Sequence, residues 1–165
     1  MAHSDPAEVR KRSGGALEVR RADTSDGPHL AELRQLWTRE LGAISDDPGF
    51  PERLEDWLIG QSRWRRFWLA LAEDRPIAMV NLLVFERMPR PGRSDTRWGY
   101  VGNMYVVPEW RGTGVSSRLL AAVTSYSEDR GLEKLLVHPS ERSISFWRRA
   151  GFEVADDLLA LRFDR

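Results

Sequence analysis

Cysteine is absent from this 165-residue chain. Without it there is no disulfide framework, no thiol nucleophile and no zinc–thiolate site. Net charge is absent too. The 25 lysines and arginines offset 25 aspartates and glutamates, so nothing favours nucleic acid or an anionic membrane as the principal partner. Lysine is almost missing: Lys11 and Lys134 stand alone, and arginine carries the remaining positive charge. That bias points to genomic base composition more than to mechanism. No apolar run approaches the roughly 18 residues of a membrane span. The first segment, "MAHSDPAEVRKRSGG", lacks the apolar stretch of a secretion signal. Residues 1–16 read as a mobile polar tail before one domain over residues 17–165, and the protein reads as cytoplasmic.

What is present is a 41% hydrophobic, globular composition with clear periodicity. "LEVRRAD" (Leu17–Asp23) alternates as a strand. "TSDGPHLAELRQLWTREL" has a cap-rich start, Pro28 in its first turn, and Leu30, Leu33, Trp37 and Leu41 on one helical face; Gly42 ends it. After the loop "ISDDPGFPE", "ERLEDWLIGQ" predicts a shorter helix. "RRFWLALAED" and "IAMVNLLVFER" read as a hairpin around "DRP". "MPRPGRSD" is a loop and "RWGYVGNMYVVP" a long, mostly buried strand. A helix is expected from about Val115 to Arg130, with Val115, Leu119, Leu120, Val123 and Tyr126 inward. "EKLLVH" predicts a strand, "SERSISFWRRAG" a helix closed by Gly151, and "FEVADDLLALRF" the final strands. Strands alternating with helices only in the second half argue for a mixed α/β sheet.

The stretch "WRGTGVSS" (Trp110–Ser117) sits between the long strand and a helix start. Free N–H groups of a first helical turn, with the helix dipole behind them, hold anions. Glycines let a bulky phosphate approach without meeting a Cβ, and Ser116 and Ser117 can add hydroxyl donors. No Gly-Lys-Ser/Thr follows at P-loop spacing, and Gly112-Thr113-Gly114 lacks the third glycine of a dinucleotide fingerprint. A plain tight turn into a helix is the other reading of these residues alone.

With Pro108 before it and Arg111 opening it, the loop resembles the acyl-CoA pyrophosphate loop of the GNAT superfamily of N-acetyltransferases. Its pattern, Arg/Gln-x-x-Gly-x-Gly/Ala, is matched by Arg111 and Gly114, while Ser116 stands where Gly or Ala is usual. "NMYVVPEW" is similar to the family's central strand, "SISFWRRAGF" to its late helix, and "LEVRRADTSD" to its first strand and helix entry. The likeness covers about residues 17–163. It implies a GNAT fold: a mostly antiparallel central sheet, two middle strands splayed apart, helices on its faces. It implies acetyl transfer from acetyl-CoA to a primary amine of a small molecule, peptide or protein, with no metal.

By the same resemblance, Met104, Tyr105 and Val106 lie along the pantetheine arm. Arg111, Gly112, Thr113, Gly114, Val115, Ser116 and Ser117 wrap the pyrophosphate, and the Val106 N–H meets the thioester oxygen. Ser140 takes the place of an asparagine that touches pantetheine, or is only the N-cap of the next helix. Trp147 occupies the position of a tyrosine that protonates the departing thiolate, which an indole cannot do at neutral pH. An alkyl amine is mostly protonated at pH 7, so its proton needs an acceptor. The strand that usually carries a carboxylate has none. His138 is the candidate base, with a packing role as the alternative; Glu86 is weaker, and water is an option.

The acceptor site is expected from "GAISDDPGFPERLEDW" and "ERMPRPGRSDTRW". Asp46, Asp47, Glu52, Glu55 and Asp56 either attract a cationic amine or are a solvated face. Trp57, Trp64, Trp68 and Trp98 line a pocket or belong to the core. Arg63 to Arg66 touch the CoA 3′-phosphate or nucleic acid, or snorkel at a strand start. A homodimer is allowed. The rival functions are an acyl-CoA-binding module with weak or no catalysis, and another kind of nucleotide-binding module.

Overall fold

The computed structural model describes residues 17–43, 46–92 and 96–163. The tail expected over residues 1–16 lies outside them, as do residues 44–45 and 93–95 of the two acceptor loops. In chain order the elements are β1 (Leu17–Arg21), α1 (Gly27–Glu40), α2 (Phe50–Gln61), β2 (Arg65–Ala72), β3 (Arg75–Glu86), β4 (Arg97–Val106), α3 (Val115–Asp129), β5 (Leu135–Val137) and α4 (Ile144–Arg149). Short 3-10 turns precede α1, α3 and α4. Among the described residues no helix is long and apolar enough to cross a membrane.

The sheet runs β1-β2-β3-β4-β5, antiparallel through β4, with β5 parallel to β4. β2 and β3 are buried over most of their length because both faces are covered, as their near-continuous apolar runs require. Residues paired across an antiparallel ladder share a face. Trp68 and Val80 are such a pair, and Trp68 meets Tyr126 of α3 edge-on. Met79 and Tyr105 are another pair; Tyr105 stacks on Trp37 of α1. So α1 and α2 cover one face and α3 the other. Leu33, Leu69, Leu82, Leu119 and Val123 are fully enclosed between them.

β4 breaks the regular pattern twice. Met79 pairs with Tyr105 but Asn81 with Gly102, so Val80 alone stands opposite Asn103 and Met104. This is a β-bulge, which bends its strand; Asn103 adopts φ 51° to make it. On its other edge β4 pairs with β5 only over Gly99–Val101. From Gly102 to Val106 it continues without β5 beside it.

One expectation fails. Among the described residues Phe152–Phe163 contains no strand. A strand needs a neighbour's backbone groups, and Asp156-Asp157 forms a turn that interrupts the alternation. Asp157 pairs there with Lys134 (2.6 Å), while Val154, Leu159 and Leu161 remain exposed. The late helix is also shorter than expected, its first turn being 3-10 over Glu141–Ser143.

The entry to α1 is held by charge. Asp26 is buried, takes a two-pronged contact from Arg20 (2.6 and 2.8 Å) and accepts the Asp23 backbone N–H (2.8 Å). Arg20 holds the Asp26 carboxyl well below the usual carboxylate range, against the opposing effect of burial. Its contribution is therefore complete above about pH 4 and is lost as pH falls below that. Asp26→Asn is expected to cost about 2–3 kcal/mol at pH 7. Urea unfolding should show that deficit narrowing towards pH 3; a constant deficit would contradict the assignment.

Candidate functional site

The end of β4 runs directly into the loop that leads to α3. The Val107 N–H is bonded to the Ile77 carbonyl (2.9 Å). Strand groups alternate in direction, so the Val106 N–H and C=O, one residue back, point to the edge that β5 has left. There the Val106 carbonyl accepts from Arg111 Nε (3.0 Å). A 3-10 turn over Pro108–Trp110 follows. Gly112 (φ 74°) and Gly114 (φ 89°) then take left-handed conformations that a side chain resists. A Cβ at either would meet no protein atom within 4 Å beyond its own chain neighbours. The glycines thus serve the turn and leave open space above it.

Gly114 is the N-cap of α3 and supplies no side-chain cap. The Arg118 N–H to Gly114 carbonyl bond (3.1 Å) closes the first turn. The N–H groups of Val115, Ser116 and Ser117 therefore have no intrahelical partner. Thr113 is already committed, its hydroxyl donating to the Trp110 carbonyl (2.6 Å). Ser116 is half-buried, Ser117 exposed and Val115 buried in the core.

Arg111 is exposed and reaches back across β4 to α1. Its Nη2 lies 2.6 Å from Glu40 Oε2 at the end of α1, and its guanidinium sits over Tyr105 (5.8 Å). Tyr105 in turn stacks on Trp37 at 5.5 Å and 12°. The Arg111 guanidinium holds the Glu40 carboxyl below its ordinary value. Burial, then the Glu40 carboxylate, pushes the Tyr105 hydroxyl up. Glu40 escapes a reading of the sequence because 71 residues separate it from Arg111.

On the α1/α2 face, next to Tyr105, lies a cavity of about 400 Å³, within the usual size of small-molecule sites. α1 lends it Leu30 and Arg34, α2 lends Phe50, Arg53, Leu54 and Trp57, and the sheet lends Phe67, Met79 and Asn103. No acidic side chain lines it among the described residues. Beside it Asn81 is fully buried; its Oδ1 accepts from Arg65 Nη1 (2.6 Å), and its Nδ2 has no partner. The strained Asn103 is legible only afterwards: asparagine tolerates left-handed backbone, but nothing marks "GNMY" as a bulge.

The remaining sequence candidates scatter. Val106 is eight positions along β3 from Glu86, judged by its partner Ala78, or about 26 Å. Glu86 is therefore too far to serve that edge. His138 is exposed, just beyond β5. Ser140 is the N-cap residue of the 3-10 turn, its hydroxyl 3.1 Å from that of Ser143. Trp147 is buried edge-on between Phe146 and Phe152. Trp57 alone of the four tryptophans lines the cavity. Trp68 is core, Trp98 stacks on Phe85, and Trp64 lies under Arg63. Arg65 and Arg66 are spent on Asn81 and on backbone carbonyls. Of the acidic cluster, Asp46 and Asp47 border a separate hollow with Gln35 and Arg39, and Asp47 pairs with Arg53. Glu52, Glu55 and Asp56 are exposed.

Residues 30–152 match the Acetyltransferase (GNAT) family. The chain belongs to the GNAT family. Over 87 residues, 53% of the chain, it is 25% identical to a glucosamine 6-phosphate N-acetyltransferase of Trypanosoma brucei brucei. The match spans only 57% of that protein's length. Two solved structures share the fold. A predicted acetyltransferase with acetyl-CoA from Clostridium acetobutylicum has TM-score 0.72 and 21% identity, over 89% of this chain and 96% of that one. An aminoglycoside acetyltransferase from an uncultured soil metagenomic sample, in complex with trehalose, has TM-score 0.74 and 18% identity, over 90% and 96%. At such identities these structures speak for the fold alone.

The GNAT assignment gives the bulge, the parted strands and the open helix end a common setting on one acyltransferase scaffold. Asn103 lines the cavity and carries the left-handed backbone of the bulge. Asn103→Gly is expected to leave thermal stability nearly unchanged, while Asn103→Val costs about 1–2 kcal/mol. Equal melting temperatures for the two variants would contradict the left-handed geometry.

Proposed function

We propose that this chain transfers an acetyl group from acetyl-CoA to a primary amine of a small molecule, with a peptide or protein amine as the variant, and that it does so in the cytoplasm. One observation carries the reading. The unpaired N–H groups of Val115, Ser116 and Ser117 lie just beyond the β4 edge that points the Val106 N–H away from β3. The open space over Gly112 and Gly114 fits a bulky anion against those amides.

In this reading the pyrophosphate rests on Gly112 to Ser117, and the pantetheine arm follows Met104, Tyr105 and Val106 into the place of the missing β5 pairing. Ser140 and Trp147 flank the arm from the late turn and helix. The amine attacks the thioester carbon, the Val106 N–H stabilises the oxygen as charge develops, and the carbon–sulfur bond breaks to release CoA thiolate. His138 or water takes the amine proton. Arg111 opens the pyrophosphate loop and also holds β4 to α1 through Val106 and Glu40.

A weaker catalyst, or an acyl-CoA binder, has specific support as well. β4 carries no acidic residue to take the amine proton, and Trp147 replaces the acid that would protonate the thiolate. A thiolate with pKa about 8.5 leaves tolerably without one.

Isothermal titration should show acetyl-CoA binding to the intact chain and loss of that binding in Gly114→Trp with circular dichroism unchanged. Retained affinity would show that the loop is not the phosphate site. Thiol release across a panel of amines then separates enzyme from binder: release marks the enzyme, and silence against every amine favours the binder. Trp147→Tyr is expected to give equal or higher turnover while losing about 1–2 kcal/mol of stability from the core. A large fall in turnover without further loss of stability would assign the indole a positive part in the reaction.

A further inference from the structure

The cavity beside Tyr105 combines apolar walls with positive charge. Leu30, Phe50, Leu54, Trp57, Phe67 and Met79 supply a surface suited to a flat or branched apolar body. Arg34 on α1 and Arg53 on α2 contribute its charged groups. Arg53 is offset by Asp47. Arg34 makes no ion pair among the described residues; its guanidinium lies over the Trp37 ring (4.8 Å) and is exposed. A third guanidinium, that of Arg65, stands behind Trp57 (5.2 Å) and also lacks an acidic partner among the described residues. Burial alone lowers the pKa of Arg65, with no carboxylate acting on it.

The neutral polar group nearby, Asn81, is fully buried outside the cavity lining and adds no negative charge to it. The Asn81 carbonyl oxygen is consumed by Arg65, which leaves only an N–H donor unmatched. Among the described residues two arginines and no acidic side chain line the cavity; Asp47 and Glu52 act on Arg53 from outside its walls, so the uncompensated charge of the lining is that of Arg34. A polycationic amine would meet repulsion here, since a concave, low-dielectric wall strengthens fields of either sign. An anionic group would meet complementary charge and guanidinium forks. The cavity also reaches the transfer edge: Met79, on its floor, is paired with Tyr105, the residue before Val106.

We propose that the acceptor is a primary amine with an apolar, flat body and an anionic group, a carboxylate or a phosphate, that Arg34 binds. The amine end lies over Met79 towards Val106, the body lies against Trp57, and the anion sits between α1 and α2. This inference rests on the acetyl-transfer reading for the direction of the amine, but the charge preference of the cavity stands independently of it.

The test compares tyramine, tyramine O-phosphate, 4-(2-aminoethyl)benzoate and the aminoglycoside kanamycin, by titration calorimetry against the full chain and by thiol release with acetyl-CoA. Both anionic amines should bind roughly 10- to 100-fold more tightly than tyramine, the gain of one or two charge-assisted hydrogen bonds, with kanamycin weakest. The better of the two anionic amines identifies the anion as phosphate or carboxylate. Arg34→Gln should erase the preference over tyramine, and Arg34→Lys should restore part of it. Equal affinity for tyramine and its phosphate, tighter binding of kanamycin, or no binding of any probe would overturn the inference. A preference that survives in Arg34→Gln would overturn the role of Arg34. A separate titration with acetyl-CoA reads the other half of the site, so its failure would strike the acetyl-transfer reading and leave the amine titrations to judge the cavity.

Discussion

β4 is paired on both edges only over Gly99–Val101, and the bulge, the Arg111 contact and the uncapped start of α3 all lie beyond the residue where that double pairing ends. Backbone N–H and C=O groups at a sheet edge need partners. Where β5 stops, β4 carries on with no strand beside that edge, and Arg111 takes up one of its groups, the Val106 carbonyl. The bulge at Asn103 and Met104 lies within the same unpaired stretch and turns the strand. The loop that follows then delivers a helix end with three unpaired amides beside that edge.

Two charge arrangements support this geometry from opposite ends of α1. At its start, Asp26 anchors the helix to β1 through Arg20. At its end, Glu40 meets Arg111, so α1 is fastened both to the first strand and to the loop after β4. The exposed pair at the far end is worth little by itself. Its value is positional, since Trp37 and Tyr105 stack one turn away and fix where the cavity meets the strand. The cavity itself opens between α1 and α2; its lining side chains there are apolar apart from the exposed Arg34 and Arg53 at its rim.

How much of this is legible in the sequence varies by level. Periodicity placed nearly every element because burial imposes it: Val115, Leu119, Leu120 and Val123 recur at helical spacing and are buried in α3. "FEVADDLLALRF" shows the limit of the same argument. Its apolar residues suit a strand, but a strand exists only where a neighbour can pair with it. For the acidic residues of the α2 region the solvated-face alternative holds. Asp47 and Glu52 are close in sequence, yet the helix turns Glu52, Glu55 and Asp56 to solvent, and the cavity takes Arg34 and Arg53 instead.

What the chain's residues determined by themselves was local: the helix and strand periods, the two glycines whose positive φ the loop demands, and the family likeness carried by "WRGTGVSS" and "FWRRAGF". These depend on neighbours within a few positions, where backbone sterics and side-chain period act. Only the tertiary structure decided the rest: the end of β5 at Val137, the strained Asn103, the meeting of Glu40 with Arg111, and the charge of the cavity. Each depends on groups brought together from 16 to 71 residues apart, and no local rule of propensity or spacing contains that information.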